Sequence, residues 1–152
     1  MDELLDASKN DKVKQYATHY SVCVAYQCPI TIQLSENGAK EEALSNTFED
    51  ALVFENLVTF KELEGDGLIK KFKELINREG VTSQSLGEGI FEILKEKGDK
   101  AKFALDLLYL RDPDTLKVPT YIDQGLHWLQ SQLTKKQSEI VTIQPVIEGV
   151  AS

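Results

Sequence analysis

Four side chains in the sequence are soft metal ligands: His19, Cys23, Cys28 and His127. On a helix, His19 and Cys23 stand at i, i+4 and reach a single zinc ion. The Cys23–Cys28 spacing matches no common zinc motif, however, and a tetrahedral site needs His127 brought alongside. The simpler expectation is two small buried or half-buried thiols and two surface imidazoles, with no metal and no cofactor. A Cys–His nucleophile pair has no signature here either. Two cysteines are too few for a disulfide framework in a chain of 152 residues, and they suit a reducing compartment.

Glu62-x-Glu64-x-Asp66-Gly67 begins like a calcium loop, with glycine at its sixth position. Position nine is then Lys70 and position twelve is Lys73, where a bidentate glutamate is required, so the loop fails as a cation site. The phosphate-binding P-loop, the dinucleotide glycine fingerprint, HExxH, GxSxG and CxxC are all missing. Asp106 is the one charge between Ala104 and Leu110, and a pairing with Lys102 one turn back is its ordinary role. In the alternative role it is a desolvated acid that lines a pocket with His127.

Two constellations point to binding rather than to turnover. Tyr121, Gly125 and Trp128 lie at i, i+4, i+7 on one side of a helix, and the glycine leaves a notch between two large aromatics. Such a notch accepts a side chain from a partner, unless the apolar tail or another helix of the same chain covers it. The second constellation is acidic. From Glu36 to Asp66 nine acids stand against two bases, Lys40 and Lys61. Glu41, Glu42, Glu49, Asp50 and Glu55 form its centre, either as a solvated helix face or as a patch that steers a basic partner.

The elements that must position these groups are mainly helical. Lys100 to Arg111, KAKFALDLLYLR, is apolar nearly all round: Ala101, Ala104, Leu105 and Leu108 on one side, Phe103, Leu107 and Leu110 nearly opposite. That pattern predicts a central helix buried on both flanks. Upstream, Val13, Tyr16, Ala17, Tyr20 and Val24 follow a helical seam, although Tyr20, Val22, Val24 and Tyr26 also alternate as in a strand; the longer helical pattern is favoured. A short turn of helix over residues 2–8 and a cap at Ser8–Asp11 precede it. Ile30, Ile32 and Leu34 read as extended, and Ser35-Glu-Asn-Gly38 as a turn.

Ala39 to Leu63 reads as a long helical stretch broken near Ser45-Asn46. Asp66 then caps a helix with the stripe Leu68, Ile69, Phe72, Leu75 and Ile76, which Gly80 closes in a left-handed cap. Thr82 caps the next helix, with Leu86, Ile90, Ile93 and Leu94 inward and Gly98 closing it. Gly87 and Gly89 inside that helix each cost about 1 kcal/mol relative to alanine, which implies close packing. After Asp112-Pro113-Asp114, Thr120 caps a last helix whose Ile122, Leu126, Leu129 and Leu133 form an inward stripe. The tail from Ser138 holds Ile140-Val141-Thr142-Ile143 and Val146-Ile147 and reads as extended.

The expected fold is therefore a single mainly α bundle of five to seven helices over residues 1–137, with extended segments near 30–34 and 140–147 and an apolar tail over 138–152. The apolar and charged fractions, 41% and 28%, are those of a globular chain. A net charge of −8 disfavours direct phosphate-backbone contact with nucleic acid. Neither a run of eighteen apolar residues nor a basic-then-apolar leader is present, so the expected location is cytoplasmic, with no membrane span. The expected role is a non-enzymatic, adaptor-type or regulatory interaction domain that binds a protein partner, basic or presenting an amphipathic helix. Two other classes stay open: a small-molecule or lipid-binding bundle or cofactor-free enzyme with an internal pocket, and a self-associating subunit of a larger assembly.

Overall fold

Between Asn46 and Ala51 the backbone passes from extended to helical around one carboxylate. Thr47 is extended, at φ −131° and ψ 171°, and its hydroxyl accepts from Asp50 N at 3.3 Å. Asp50 reciprocates by accepting from Thr47 N at 2.7 Å, which completes a capping box. This junction starts helix α1 (Phe48–Glu55), and a break at Asn56 separates it from α2 (Leu57–Glu62). The remaining helices are α3 (Gly67–Ile76), α4 (Ser83–Lys97), α5 (Lys100–Leu110) and α6 (Thr120–Ile143), with a 3-10 turn at Pro113–Thr115. The computed structural model describes residues 13–16, 20–97, 100–110 and 113–143.

Among the described residues the fold is mainly helical, with two small antiparallel hairpins. The first pairs β1 (Val13–Tyr16) with β2 (Tyr20–Cys23), Val13 opposite Cys23. The second pairs β3 (Ile30–Gln33) with β4 (Lys40–Ala43), Ile30 opposite Ala43. By contact the chain divides into two units, residues 27–120 and the two chain ends, 1–26 with 121–152. No helix among the described residues is long and apolar enough to cross a membrane.

The larger unit carries the core. Leu68, Ile69, Phe72, Leu75 and Ile76 of α3 are all buried, as their spacing predicts. Phe103 of α5 stands edge-on to Phe72 at 5.4 Å and stacks with Phe60 of α2 at 6.2 Å. Such ring pairs add about 0.5–1.5 kcal/mol each beyond area burial. Ile32, Leu34 and Ala43 bring one face of the second hairpin into the same core, and Lys61 Nζ donates to Leu34 O. Thr82 caps α4 by accepting from Ser85 N at 3.2 Å. Gly67 and Gly80 take φ values of +60° and +70°, a backbone region that a Cβ penalises. Asp66 holds the N-cap position of α3 but makes no side-chain cap bond.

Several expectations are corrected. Residues 13–16 and 20–23 are strands, not a helix: the alternation from Tyr20 prevails because the aromatic and β-branched residues gain a paired strand. Lys40–Ala43 is likewise a strand, so the long helix expected from Ala39 begins only at Phe48. Helix α6 continues to Ile143, so residues 138–143 are helical where an extended tail was expected. The central helix α5 is buried on one flank only: Phe103 and Leu107 are inside, whereas Leu105 and Leu108 are 56% and 59% exposed. The expected inward stripe of α6 also faces water, with Leu126, Leu129 and Leu133 exposed. The segments 2–8, Ser8–Asp11 and 144–152, with Gly98 and Asp112, lie outside the described residues.

Candidate functional site

The open flank of α5 forms one wall of an apolar groove in the larger unit. Leu52 of α1 and Phe103 and Leu107 of α5 make its floor, all three buried. Phe48, Leu108 and Leu116 stand along its rim. The groove encloses about 360 Å³, within the range of ligand-sized pockets. Its position follows from the local sequence. Because Phe48 is the first residue of α1, it sits one turn before Leu52 on the same side of the helix. On α5, Phe103, Leu107 and Leu108 come from adjacent turns.

One end of the groove is charged. Lys100 Nζ meets Glu49 Oε2 at 3.1 Å, with the carboxylate side chain 9% exposed and the ammonium side chain 52% exposed. Below the rim, the segment that carries Leu116 is anchored by Asn56. This buried side chain donates to Lys117 O at 2.9 Å and to Leu52 O at 2.9 Å, and accepts from Lys117 N at 2.8 Å. Glu55 continues the attachment by accepting from Thr120 N at 3.2 Å and from its hydroxyl. The result is an anchored, mostly apolar trough. Its lining is complementary to an apolar surface.

The acids expected to form a partner-steering face serve different purposes in the fold. Asp50 is 1% exposed and accepts from Asn46 N, Thr47 N, the Thr47 hydroxyl and Ala51 N at 2.7–3.0 Å. Glu49 pairs with Lys100, and Glu55 holds Thr120. Glu41 is half-buried and accepts from Ser83 N at 2.8 Å, while Glu42 stays exposed on β4. The sequence does not distinguish these roles, since an N-cap acid and a solvated acid have the same letter.

Tyr121, Gly125 and Trp128 are half-buried on α6 of the smaller unit. The notch at Gly125 already has an occupant: a Cβ built there falls 2.9 Å from Cβ of Ala25. Asp106 forms the expected ion pair with Lys102, at 2.5 Å. His127, in the other unit, is exposed and its Nδ1 lies 3.2 Å from Asp123 Oδ1. Cys23 and Cys28 are half-buried free thiols, and His19 lies outside the described residues. Among the described residues no group of three His, Cys, Asp or Glu is placed to hold a metal ion.

Phe48, Leu108 and Leu116 are the site residues that sequence reasoning missed. For Leu108 the signal was the segment from Lys100 itself, whose surplus apolar flank was assigned to the core. No protein-family model matches this chain, and comparison with curated proteins and with solved structures gives no match.

Proposed function

We propose that this chain is a protein-binding module, of adaptor or regulatory type, whose α1–α5 groove receives the apolar face of a partner helix. The single observation behind this reading is the trough of Leu52, Phe103 and Leu107 left open between rims of Phe48 and Leu108. Exposed apolar surface of this kind is retained when something binds it, and grooves between helices commonly take amphipathic helices with anchors at i, i+3 or i+4 and i+7. Glu49 at the groove end favours a partner with a basic residue next to its apolar anchors, in exchange for Lys100. Free thiols and an acidic composition suit the cytoplasm as its place of action.

Leu108→Glu tests the reading, because its side chain is already largely in water and the change leaves the core alone. A partner isolated with the wild-type chain is titrated into isotope-labelled protein. The reading requires chemical-shift changes centred on Phe48, Leu52, Leu107 and Leu108, and at least about tenfold weaker binding by the Leu108→Glu variant. Undiminished affinity of that variant, or shifts confined to another surface, overturns it.

A further inference from the structure

Helix α6 carries a pattern that the groove does not use. Ile122, Leu126, Leu129, Leu133, Lys136, Ile140 and Ile143 follow one another at intervals of 4, 3, 4, 3, 4 and 3, the seam of a two-stranded coiled coil with one polar interruption. In the structure the middle of this seam is bare: Leu126, Leu129, Leu133 and Ile140 are 56%, 48%, 57% and 63% exposed, while Ile122 is half-buried. It runs beside the half-buried line of Tyr121, Gly125 and Trp128 and does not coincide with it. From Leu133 to Ile140 every residue is exposed, so this part of the helix has no face packed against the described residues. A helix in water on all sides gains little from its own hydrogen bonds, and most helical stability in proteins comes from a packed apolar face.

Charge selects the occupant. Asp123 and Glu139 against Lys135 and Lys136 give α6 a formal charge of zero, in a chain of net charge −8. The positions that flank the seam are mostly neutral, with Gln130, Gln132 and Gln137 among them, so they offer no field to attract a strongly charged partner. They do allow the two helix faces to meet without local repulsion. We infer that α6 pairs with α6 of a second copy of this chain as an antiparallel, two-fold symmetric coiled coil. A parallel pair would set two Lys136 ammoniums against each other across the seam. The antiparallel register with Leu129 opposite Leu133 puts Ile122 opposite Ile140. It also lays the Lys136 stem on Leu126, with its ammonium near Asp123 of the second copy.

The size of the seam sets the strength. A helix of 24 residues is about 36 Å long and about 10 Å wide. Two such strips bury about 700 Å² in projection, below the 1,200 Å² or so of a stable interface. The pair is therefore a reversible, concentration-dependent dimer and not an obligate one.

Sedimentation of the full chain from about 1 μM to about 1 mM reads this directly. The weight-average mass rises from 17.1 kDa towards twice that value as concentration increases. Leu133→Glu, at a position already exposed, holds the chain as a monomer throughout the range, with the circular dichroism of the wild-type chain at its lowest concentration. Lys136→Glu, a surface charge change that keeps the fold even if the first variant does not, weakens the dimer at least about tenfold by setting a second carboxylate against Asp123. Adding Asp123→Lys to it restores association. A wild-type chain that stays monomeric at the highest concentration overturns the inference, and so does a dimer indifferent to Leu133→Glu. A double charge reversal that restores nothing rules out the antiparallel register. These outcomes are independent of the α1–α5 groove, which none of the variants touches.

Discussion

Asn56 and the backbone of Lys117 form a reciprocal pair across 61 positions of sequence: the amide Nδ2 donates to Lys117 O at 2.9 Å, and Lys117 N donates to Oδ1 at 2.8 Å. The same Nδ2 also donates to Leu52 O, so one buried side chain mends the break between α1 and α2 and fixes the segment that carries Leu116. A peptide unit is imitated by an amide side chain, which satisfies both backbone groups of Lys117 where no strand is available.

Replacement of Asn56 by alanine therefore removes three bonds and leaves the buried Leu52 carbonyl without that donor. The expected loss is about 2–4 kcal/mol of unfolding free energy, read from a urea titration. Asn56→Asp is no milder, because the carboxylate cannot donate to Leu52 O or Lys117 O. If the alanine variant unfolds at the wild-type midpoint, the clamp is unimportant.

Asp50 makes a second prediction about a charge whose role is internal. Asp50→Ala strips acceptors from Asn46 N, Thr47 N and Ala51 N at the start of α1. A loss of about 2–4 kcal/mol is expected, against about 1–2 kcal/mol for Thr47→Ala, which removes only the reciprocal half of the capping box. Glu42→Ala, at an exposed position, stays within about 0.5 kcal/mol of wild type. Equal losses at Asp50 and Glu42 in denaturant melts would show that the acids are one solvated face after all.

The two glycines of α4 should part company. A methyl at Gly87 meets Phe54 Cζ at 3.5 Å, an ordinary contact, whereas one at Gly89 meets the Leu75 methyls at 3.0 and 3.1 Å. Gly87→Ala gains the helix propensity of alanine, about 0.5–1 kcal/mol, and raises the melting temperature by a few degrees. Gly89→Ala pushes against a buried leucine, and an overpacking cost of about 1–3 kcal/mol cancels or exceeds the same gain. A larger rise in Tm for the Gly89 variant contradicts this packing.

Adjacent leucines on α5 give the sharpest contrast. Leu107 is 6% exposed, and its truncation to alanine costs about 2–4 kcal/mol. Leu108 is 59% exposed, and even a glutamate there leaves stability within about 0.5–1 kcal/mol. Matching losses at both positions in guanidinium titrations would mean that the outer flank of α5 is also sheltered, and the groove would be lost with it.

The letters alone determined the elements whose polarity changes cleanly around the helix or along the strand. The stripe from Leu68 to Ile76, the Thr82 cap, the left-handed Gly80, the extended Ile30–Gln33 and the turn at Ser35–Gly38 are all local features, and local sterics and capping bonds suffice to produce them. The close packing expected of the α4 glycines holds at Gly89 but not at Gly87, whose added methyl would meet only an ordinary contact. Only the tertiary structure decided the rest. Tyr20 and Val22 fit both a helical and a strand period, and the presence of a pairing partner in β1 settled the choice. Lys40–Ala43 has a helical composition, but cross-strand hydrogen bonds to β3 outweigh it. On α5 and α6 the sequence marks an apolar surface without saying what covers it. Periodicity is a property of one helix, whereas burial depends on which neighbours arrive. The candidate groove and the bare seam both lie where those neighbours did not.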